Sequence, residues 1–296
     1  MNKKIIVMGS LIIDNVTYTE NTGVPGKTVY GESFIQNVGG KGANQAMQCV
    51  FLQDEVLFFG ARGVDSLGDM ASEFLRSNGL RFYLKRVPES TGVANIIVNT
   101  KTAQNQIIVI PGANKTVSQK DIDFWTPKIQ EGKIFITQLE TNNDAAVYAL
   151  KRAKELGLIT ILNPAPYSEF DKNYLTFVDY IIPNEYELDE IIGGEDNLEN
   201  KAKELLKFGV KNVIVTLGDK GSMLVNKDEI YYQKPYSVQS VDTTGAGDSF
   251  IGGFAHAILH DYSLHEAMDF ASRVSSITVT RKGAISSLTK LEELVG

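Results

Sequence analysis

The sequence has very little cysteine and no long apolar run. Its 296 residues include one cysteine, Cys49, so no disulfide can form within the chain, and we expect this residue in the core. No run of about 18 apolar residues occurs, which predicts no membrane-spanning helix. The apolar run near the N-terminus ends early at Asp14, which argues against a signal peptide. A cytoplasmic protein is therefore expected.

Positive charge is also scarce. The chain has 29 Lys and Arg against 36 Asp and Glu, a formal net charge of −7, so no nucleic-acid or membrane partner is expected. A local positive site can still hold an anionic substrate. Hydrophobic residues make up 43% and charged residues 22%, which is ordinary for an enzyme-sized globular chain with a sizeable core.

Three familiar site patterns are missing. The first apolar strand is not followed by G-x-G-x-x-G, which disfavours a dinucleotide-dependent oxidoreductase. GVPGKT resembles the end of a phosphate loop, but Asn21 stands where that motif needs glycine, so we interpret it as a turn. His256 and His260 are four residues apart without the glutamate of a HExxH zinc site. Together with His265, they are interpreted as surface helix residues.

What is present is a regular alternation of strands and helices. Short apolar runs predict buried strands at 4–9, 56–63, 133–137, 158–162, 178–182 and 212–216. Helical periodicity predicts helices at 39–53, 65–79, 142–156, 184–192, 197–208, 246–260 and 264–280. Such alternation implies a mostly parallel sheet, in which ligands bind at the carboxyl ends of the strands.

Two segments predict β structure outside that alternation. Residues 11–36 mix β-branched residues with Gly, Pro and Asn, and a hairpin is predicted over 91–110. Another hairpin, at 223–233, is expected at a sheet edge. The predicted organisation is a single α/β domain over 1–296, with a small β element from about 11–36 and 91–110 inserted in it.

The stretch VDTTGAGDSF at 241–250 is a concentrated candidate site. Gly245, Ala246 and Gly247 precede an apolar helix face, so their backbone N–H groups are expected at a helix N-terminus, where phosphate binds well. Asp248 stands among these residues. On local features alone, an acidic residue in the first turn of an ordinary helix is an equally good interpretation.

Other loops after predicted strands carry polar or glycine-rich motifs. GGKGAN at 39–44 offers close backbone approach together with Lys41 and Asn44, which suits a hydroxyl-rich small molecule but also a tight turn. PNEYE places Asn184 and Glu187 one turn apart, which also fits plain helix capping. The remaining motifs are QLE at 138–140, NPAP at 163–166 and the glycine-rich turn TLGDKGS at 216–222.

Taken together, these motifs resemble the ribokinase branch of the PfkB sugar-kinase family. The matching stretches run from about Gly9 to Ser287 and are GS-x-x-x-D, GGKGAN, STGVA, GAN, QLE, NPAP, PNE, TLG-x-x-G, DTTGAGD and TRKGA. Each motif is weak by itself, and it is their shared order along the chain that makes the resemblance specific. The resemblance implies a ribokinase-like three-layer α/β/α fold with a small β-sheet lid. It also implies ATP-dependent phosphorylation of the 5-hydroxyl of a pentose, and a homodimer formed through the lid.

The resemblance also implies roles for particular residues. It makes Asp248 the catalytic base and assigns Gly245, Ala246 and Gly247 to the anion hole for the transferring phosphoryl group. Positions that match sugar contacts are Ile12, Asp14, Gly40, Lys41, Asn44 and Glu140, together with Asp248. Positions that match nucleotide contacts are Asn184, Thr216, Gly218, Gly221, Gly247 and Ser272.

Two kinds of ion are implied as well. Glu187 matches a glutamate linked to Mg²⁺, which bridges the phosphates of ATP. A site for K⁺ or another monovalent cation, built largely from backbone carbonyls, is implied at Asp242, Thr244, Thr278, Arg281, Gly283 and Ser287. Phosphoryl transfer needs positioning, charge stabilisation and a base, which agrees with a glycine-rich helix start beside a carboxylate.

One position departs from the resemblance. Ribokinases usually begin GS-x-N-x-D, where the Asn touches the sugar, but here Ile12 replaces that Asn while Asp14 is kept. A hydroxyl buried against an alkyl group loses a hydrogen bond, which costs about 1–3 kcal/mol. Ribose remains the expected general substrate, and we hypothesise that 2-deoxyribose is accepted at least as well. Alternatively, Ile12 points into the core.

Other interpretations stay open from the sequence. Nucleosides, fructose and ketodeoxygluconate are competing substrates within the family, although GGKGAN with QLE and NPAP favours a small pentose over a nucleoside. A catalytically silent sugar- or nucleotide-binding regulator on the same fold is a further alternative. The intact Asp248 and its glycine loop argue against it.

Overall fold

The computed structural model describes residues 4–102 and 104–294, in which strands and helices alternate. The strands are β1 (Lys4–Met8), β2 (Ile12–Thr19), β3 (Ser33–Gly39), β4 (Glu55–Gly63), β5 (Arg81–Val87), β6 (Gly92–Asn99), β7 (Asn105–Ile110), β8 (Ile134–Gln138), β9 (Ile159–Asn163), β10 (Tyr180–Ile181), β11 (Asn212–Thr216), β12 (Ser222–Asn226) and β13 (Ile230–Gln233). The helices are α1 (Lys41–Phe51), α2 (Ser66–Ser77), α3 (Gln119–Ile129), α4 (Asn143–Glu155), α5 (Glu185–Ile192), α6 (Leu198–Lys207), α7 (Ala246–Leu259) and α8 (Leu264–Thr278).

The larger of two sheets has the strand order β13-β12-β11-β10-β9-β8-β1-β4-β5. Neighbours from β11 to β5 are parallel, and the β12–β13 hairpin is antiparallel at one edge, as predicted. Strand β8 is buried at all five positions, because a parallel sheet with helices on both faces leaves no solvated side.

Helices cover both faces of this sheet and give the three layers that the resemblance implied. One core joins the sheet to α1, α2, α7 and α8, with Met47, Phe254 and Met268 among its buried side chains. The other joins it to α3, α4, α5 and α6 and includes Trp125 and Leu205. The sheet therefore lies between two helix layers, and the carboxyl ends of its parallel strands lie along one edge.

The helix ends follow from capping side chains. At the start of α2, the carboxylate of Asp65 accepts a hydrogen bond from the N–H of Gly68 at 2.8 Å. At the start of α8, Ser263 and Glu266 form a reciprocal capping box. Within the described ranges, no helix has the length and hydropathy that crossing a membrane requires.

A smaller sheet of four strands has the order β3-β2-β6-β7. The predicted hairpin is present as the antiparallel pair β6–β7, while β2 and β6 run parallel. Strand β2 connects the two sheets because Ile13, together with Leu11 just before the strand, belongs to the core that joins the large sheet to α1 and α7. The GAN motif holds this junction: the amide of Asn114 bonds both the N–H and the carbonyl of Leu11 at 3.0 Å.

Two elements are not predicted by the sequence patterns. Strand β5 lies at the sheet edge and carries Arg81, Lys85 and Arg86, so it lacks the apolar run of a buried strand. Helix α3 contains Pro127 in its interior, which disfavours a helix in any local interpretation. Both elements form because tertiary packing outweighs a weak local signal.

The prediction that all three histidines lie on helix surfaces is wrong for His256, which is only 7% exposed. It lies on α7, which packs against both α1 and α8 and is buried from Asp248 to Leu259. His260 and His265 are exposed, as expected. Cys49 is buried in the core, also as expected.

Candidate active site

A cavity of about 200 Å³ opens where β9, β10 and β11 end. Its lining includes residues from five of the motifs, namely Lys41, Asn163, Asn184, Glu187, Thr216, Gly245, Gly247 and Asp248. This is the edge of a parallel sheet at which ligands bind. The motifs are distant in sequence, and the fold brings them to one place.

Asp248 lies in the first turn of α7 and is 6% exposed. Each carboxylate oxygen accepts one amide N–H: Oδ2 from Asn44 at 2.8 Å and Oδ1 from Gln45 at 2.9 Å. Burial raises the pKa of Asp248 above its ordinary value, while Lys41 and the two amides act in the opposite direction. The carboxylate is thus desolvated, oriented and held by groups that favour its charged form.

The N-terminus of α7 presents free backbone donors beside that carboxylate. Gly245 is the N-cap residue, with a left-handed φ of 77° that glycine adopts without strain. Within the described residues, no acceptor bonds the N–H of Gly247 or Asp248, whereas the N–H of Ala246 donates to the carbonyl of Thr243 at 3.2 Å. A Cβ on Gly247 would meet nothing within 4 Å, so its backbone is open to a ligand.

Three carboxylates act on a single ammonium group, and a fourth carboxylate, that of Asp14, lies near two of them. Burial lowers the pKa of Lys41, but the carboxylates of Asp248, Glu140 and Glu187 outweigh it, so that the pKa is raised. Burial also raises the pKa of Asp14 to about 7, with Glu140 and Asp248 adding to the effect. This excess of buried negative charge favours a ligand that carries cations or donates hydrogen bonds.

Glycines let the start of α1 approach the β1–β2 turn. A Cβ on Gly42 would come within 2.6 Å of the backbone of Gly9, and one on Gly40 would meet the backbone of Ile12 at 3.0 Å. Gly40 itself has a left-handed φ of 92°. This close packing brings the N–H of Lys41 to Glu140 Oε2 at 2.9 Å, so GGKGAN is more than a surface turn.

One buried oxygen in the site has no partner. Asn44 is 6% exposed and its Nδ2 donates to Asp248, but its Oδ1 has no hydrogen-bond partner among the described residues. A buried acceptor without a donor is costly. A sugar hydroxyl is a donor that fits this position, because it would lie next to the carboxylate of Asp248.

The sequence patterns missed the residues that hold Asp248 from behind. Gln45 donates to Asp248 and, at 3.2 Å, to Asn163 Oδ1, and its own Oε1 accepts a hydrogen bond from Gln138 at 2.6 Å. Gln45 and Gln138 are fully buried. Their positions in the sequence could have indicated this role. Gln45 directly follows GGKGAN, Gln138 is the first residue of QLE and Asn163 is the first residue of NPAP.

Asn184 and Glu187 form a helix cap that also faces the cavity. Asn184 Oδ1 accepts from the N–H of Glu187 at 2.8 Å, and Glu187 Oε2 accepts from the N–H of Asn184 at 2.9 Å. Burial raises the pKa of Glu187. Both residues line the cavity, so the capping interpretation and the ligand interpretation hold together.

The other predicted nucleotide positions divide into two groups. Thr216 lines the cavity at the end of β11, and a Cβ on Gly218 would meet nothing within 4 Å. A Cβ on Gly221 would come within 2.0 Å of the carbonyl oxygen of Gln233, so this glycine is required by the hairpin. Ser272 is a buried residue of α8 and is absent from the lining of this cavity.

Two loops predicted to hold a monovalent cation are joined by a carboxylate. Asp242 accepts hydrogen bonds from the N–H of Thr244 and the N–H of Gly283, both at 2.9 Å. Arg281 instead pairs with Glu293, so only its backbone is available to a cation. Thr278 and Ser287 are fully buried, and the hydroxyl of Ser287 donates to the carbonyl of Ala284 at 2.8 Å.

Ile12 lies on the same face of β2 as Asp14. Alternation along the strand points it away from Ile13, which belongs to the core that joins the large sheet to α1 and α7, yet Ile12 is itself a buried hydrophobic residue that is only 2% exposed. Its cross-strand partners are Gly39 and Gly92. The prediction that Ile12 borders the sugar and the alternative that it points into the core therefore both stay open.

Known proteins match this sequence over nearly its full length. The pfkB family of carbohydrate kinases matches residues 2–291. A deoxyribokinase of Salmonella typhi is 36% identical over 296 residues, which covers 98% of this chain and 96% of the relative. A ribokinase of Staphylococcus aureus is 33% identical over 302 residues, which covers 99% of both chains.

Solved structures agree. The ribokinase of Thermotoga maritima is similar with a TM-score of 0.93 at 36% identity, covering 98% of this chain and 97% of that one. Arabidopsis thaliana ribokinase complexed with ribose and ATP is similar with a TM-score of 0.89 at 30% identity, covering 100% and 98%. The chain therefore belongs to the pfkB family of carbohydrate kinases, and it is an ATP-dependent sugar kinase.

Proposed function

We propose that this kinase transfers the γ-phosphoryl group of ATP to the 5-hydroxyl of a ribose-type pentose, with Asp248 as the base. One observation carries the proposal. A buried carboxylate, held through both oxygens, lies directly beside N–H groups at the start of α7 that no acceptor in 4–102 or 104–294 bonds. A base and an anion hole are thereby adjacent, as phosphoryl transfer to a hydroxyl requires.

In the proposed reaction, the 5-hydroxyl approaches Asp248 and gives up its proton as its oxygen attacks the γ-phosphorus. The bond from that phosphorus to the β,γ-bridging oxygen breaks, and ADP leaves. During this transfer, the N–H groups of Gly247 and Asp248 stabilise charge on the phosphoryl oxygens, with Gly245 and Ala246 shaping the loop around them. General-base catalysis of this kind contributes about 10²–10⁴-fold to the rate.

The sugar would lie between α1 and β2. Its hydroxyls would donate to Asp14, Glu140 and the unpartnered Oδ1 of Asn44, while Lys41 and the backbone at Gly40 close the other side. Because the carboxylates outnumber the single ammonium, a neutral, hydroxyl-rich ligand fits better than an anionic sugar acid.

The nucleotide would lie along the ends of β10 and β11, against Asn184, Thr216 and the open backbone at Gly218. Gly221 supports the turn, and the segment around Ser272 stays a prediction for the adenine side. Glu187 would help to hold Mg²⁺, which would supply positive charge to neutralise the phosphates. Asp242, Thr244 and the carbonyls of the 278–287 segment would hold K⁺ next to the same loop.

The identity of the pentose rests on Ile12, which favours 2-deoxyribose as a second candidate. Its side chain shares a strand face with Asp14, so an alkyl group borders the proposed sugar site. A hydroxyl against that group would lose a hydrogen bond, whereas a sugar without it would gain apolar contact. We therefore expect 2-deoxyribose to be used at least as well as ribose.

An ADP-release assay over a sugar panel, with and without K⁺, tests the proposal. Ribose or 2-deoxyribose should give the highest kcat/KM, and fructose, ketodeoxygluconate and nucleosides should give lower values. A nucleoside or hexose preference would contradict the pentose assignment, and absence of turnover on every sugar would support the regulator instead. A ribose preference above about tenfold, or roughly 1.4 kcal/mol, would contradict the 2-deoxyribose expectation.

The small sheet is proposed to act as a lid and as the surface of a homodimer. Strand β7 is exposed at all six positions, four of which are apolar. A second copy that pairs with this edge would cover them. The cytoplasmic location stays a prediction.

A further inference from the structure

A cluster of two histidines and one aspartate lies outside the proposed active site. His256 lies in the last turn of α7, and His260 is the C-cap residue that follows this helix, four residues later, so both imidazoles project from the same side. Their ring centroids are 4.4 Å apart. Asp54, in the turn between α1 and β4, faces both rings.

The three side chains already converge through one carboxylate. Asp54 Oδ2 lies 2.9 Å from His256 Nδ1, and Asp54 Oδ1 lies 3.1 Å from His260 Nε2. All three ligand atoms lie within 4.8 Å of one another. Tetrahedral Zn²⁺ with bonds of about 2.0–2.2 Å separates its ligand atoms by roughly 3.3 Å. Small rotations would therefore bring these atoms to coordination distance.

The electrostatics of the place favour a cation. The side chain of Asp54 is only 2% exposed, and among residues 4–102 and 104–294 no Lys or Arg forms an ion pair with it. The C-termini of α1 and α7 approach each other here, because Asp54, three residues after the end of α1, contacts His260, the residue that follows α7. The dipole of α1 presents its negative end next to this buried carboxylate, whereas that of α7 is partly offset by Lys133, whose ammonium donates to the carbonyl of Leu259 at 3.4 Å.

Access and rigidity also fit a metal site. The side chain of His256 is 8% exposed and stacks on Phe270 with a centroid distance of 5.0 Å, whereas that of His260 is 39% exposed. Two ligands are therefore anchored in the core, and the third borders solvent. We propose that Asp54, His256 and His260 form a binding site for Zn²⁺ or a similar transition-metal ion, with water completing the coordination.

The test is Co²⁺ and Zn²⁺ binding to the full chain after treatment with a chelator, in saturating Mg²⁺ and without nucleotide. Wild type should bind one equivalent of Co²⁺ with the visible absorption of a tetrahedral site, and Zn²⁺ should displace it. His260→Gln replaces the exposed ligand and should weaken binding by at least about 10–100-fold, the loss seen when even an outer-sphere partner is removed.

His265→Gln is the matched control. His265 is an exposed histidine on α8 that bonds Glu229 instead of Asp54, so this variant should bind metal like wild type. Asp54→Asn provides a second variant that should lose the absorption band. The proposal is overturned if wild type shows no such band, or if wild type and His260→Gln bind with equal affinity.

Discussion

The two sheets of this protein expose their side chains in opposite ways. Strand β8 of the large sheet is buried at every position, whereas strand β7 of the small sheet is exposed at every position, including Ile107 to Ile110. The large sheet is covered on both faces by its own helices. Helices do not cover the small sheet in this way. The apolar side chains on its edge strand are therefore buried only when another surface packs against them.

This difference separates two tasks in the proposed active site. Asp248, Asn44 and Gln45 lie on helices packed against the large sheet, so the proposed base is held by a rigid core. Asp14 and Ile12 lie on β2 of the small sheet. We therefore expect changes in the first group to affect the rate of the chemistry, and changes in the second to affect affinity and substrate choice.

Asp248→Asn should have the largest effect. The amide cannot accept the proton of the sugar hydroxyl, so kcat should fall by about 10²–10⁴-fold, while ATP binding measured by calorimetry stays intact. Asp269→Asn, at an exposed carboxylate of α8, is the control and should retain wild-type turnover. Near-normal turnover of Asp248→Asn would refute its role as base.

Asp14→Asn should change how the free energy of unfolding depends on pH. Folding raises the pKa of Asp14 from 3.8 to about 7, so between these pH values the folded state binds more protons than the unfolded chain. Wild type therefore loses stability as pH rises through this window, and the loss is complete above about pH 7. The advantage of Asp14→Asn in free energy of unfolding should grow by at most about 4 kcal/mol from pH 4 to pH 8.

Urea unfolding of both proteins without ligand measures this difference. Asp228→Asn, at an exposed carboxylate in the β12–β13 turn, should show no such growth relative to wild type. If the gap between Asp14→Asn and wild type is the same at every pH, the carboxylate does not carry the raised pKa.

The same comparison explains what the sequence predicted well. Buried strands such as β1 and β8 are short apolar runs, and the glycine motifs mark the turns at their carboxyl ends. Strand β5 and helix α3 were missed because charge and an internal proline hide their local signal. His256 was misassigned because a histidine spacing does not say which face of a helix packs against α1.

The site was predicted unevenly for a related reason. The motifs located the cavity residues, since Asp248, Lys41 and Glu187 do converge. The support of Asp248 by Gln45 and Gln138 was not predicted, because a hydrogen bond between side chains 93 residues apart leaves no local pattern. The role of Ser272 rests on the resemblance alone and stays a prediction.

Gln45→Leu should lower kcat although Gln45 is not proposed to contact the sugar or ATP. Losing its N–H removes a group that favours ionised Asp248, so the pKa of the base should rise and the acid limb of the kcat/KM profile should move to higher pH. We expect kcat to fall by roughly 10–100-fold, the effect of removing a partner that orients a catalytic group.

Gln48→Leu is the matched control for this positioning role. Gln48 is fully buried on the same helix, but its Nε2 donates to the carbonyl of Thr289 at 2.7 Å. It should lose stability and keep the wild-type acid limb. If the two variants shift the pH profile equally, Gln45 is a structural residue only.

Ile12→Asn should change substrate choice more than rate. The amide would restore a hydrogen-bond partner for a hydroxyl that the alkyl group leaves unpaired, so kcat/KM for ribose relative to 2-deoxyribose should rise by about tenfold. Ile12→Val keeps the alkyl surface and should keep the wild-type ratio. An unchanged ratio in Ile12→Asn would mean that the side chain does not border the sugar.

Ile108→Lys should have the smallest effect on chemistry and addresses the uncovered edge directly. Ile108 is 64% exposed in the middle of β7, and a charge there would be buried by a partner strand but solvated in a monomer. Wild type should sediment as a dimer and Ile108→Lys at half that mass, with folding intact by circular dichroism. Val64→Lys changes a 62% exposed residue outside the small sheet and should leave the dimer unchanged. A monomeric wild type would contradict the homodimer, because β7 would then stay uncovered by a second copy.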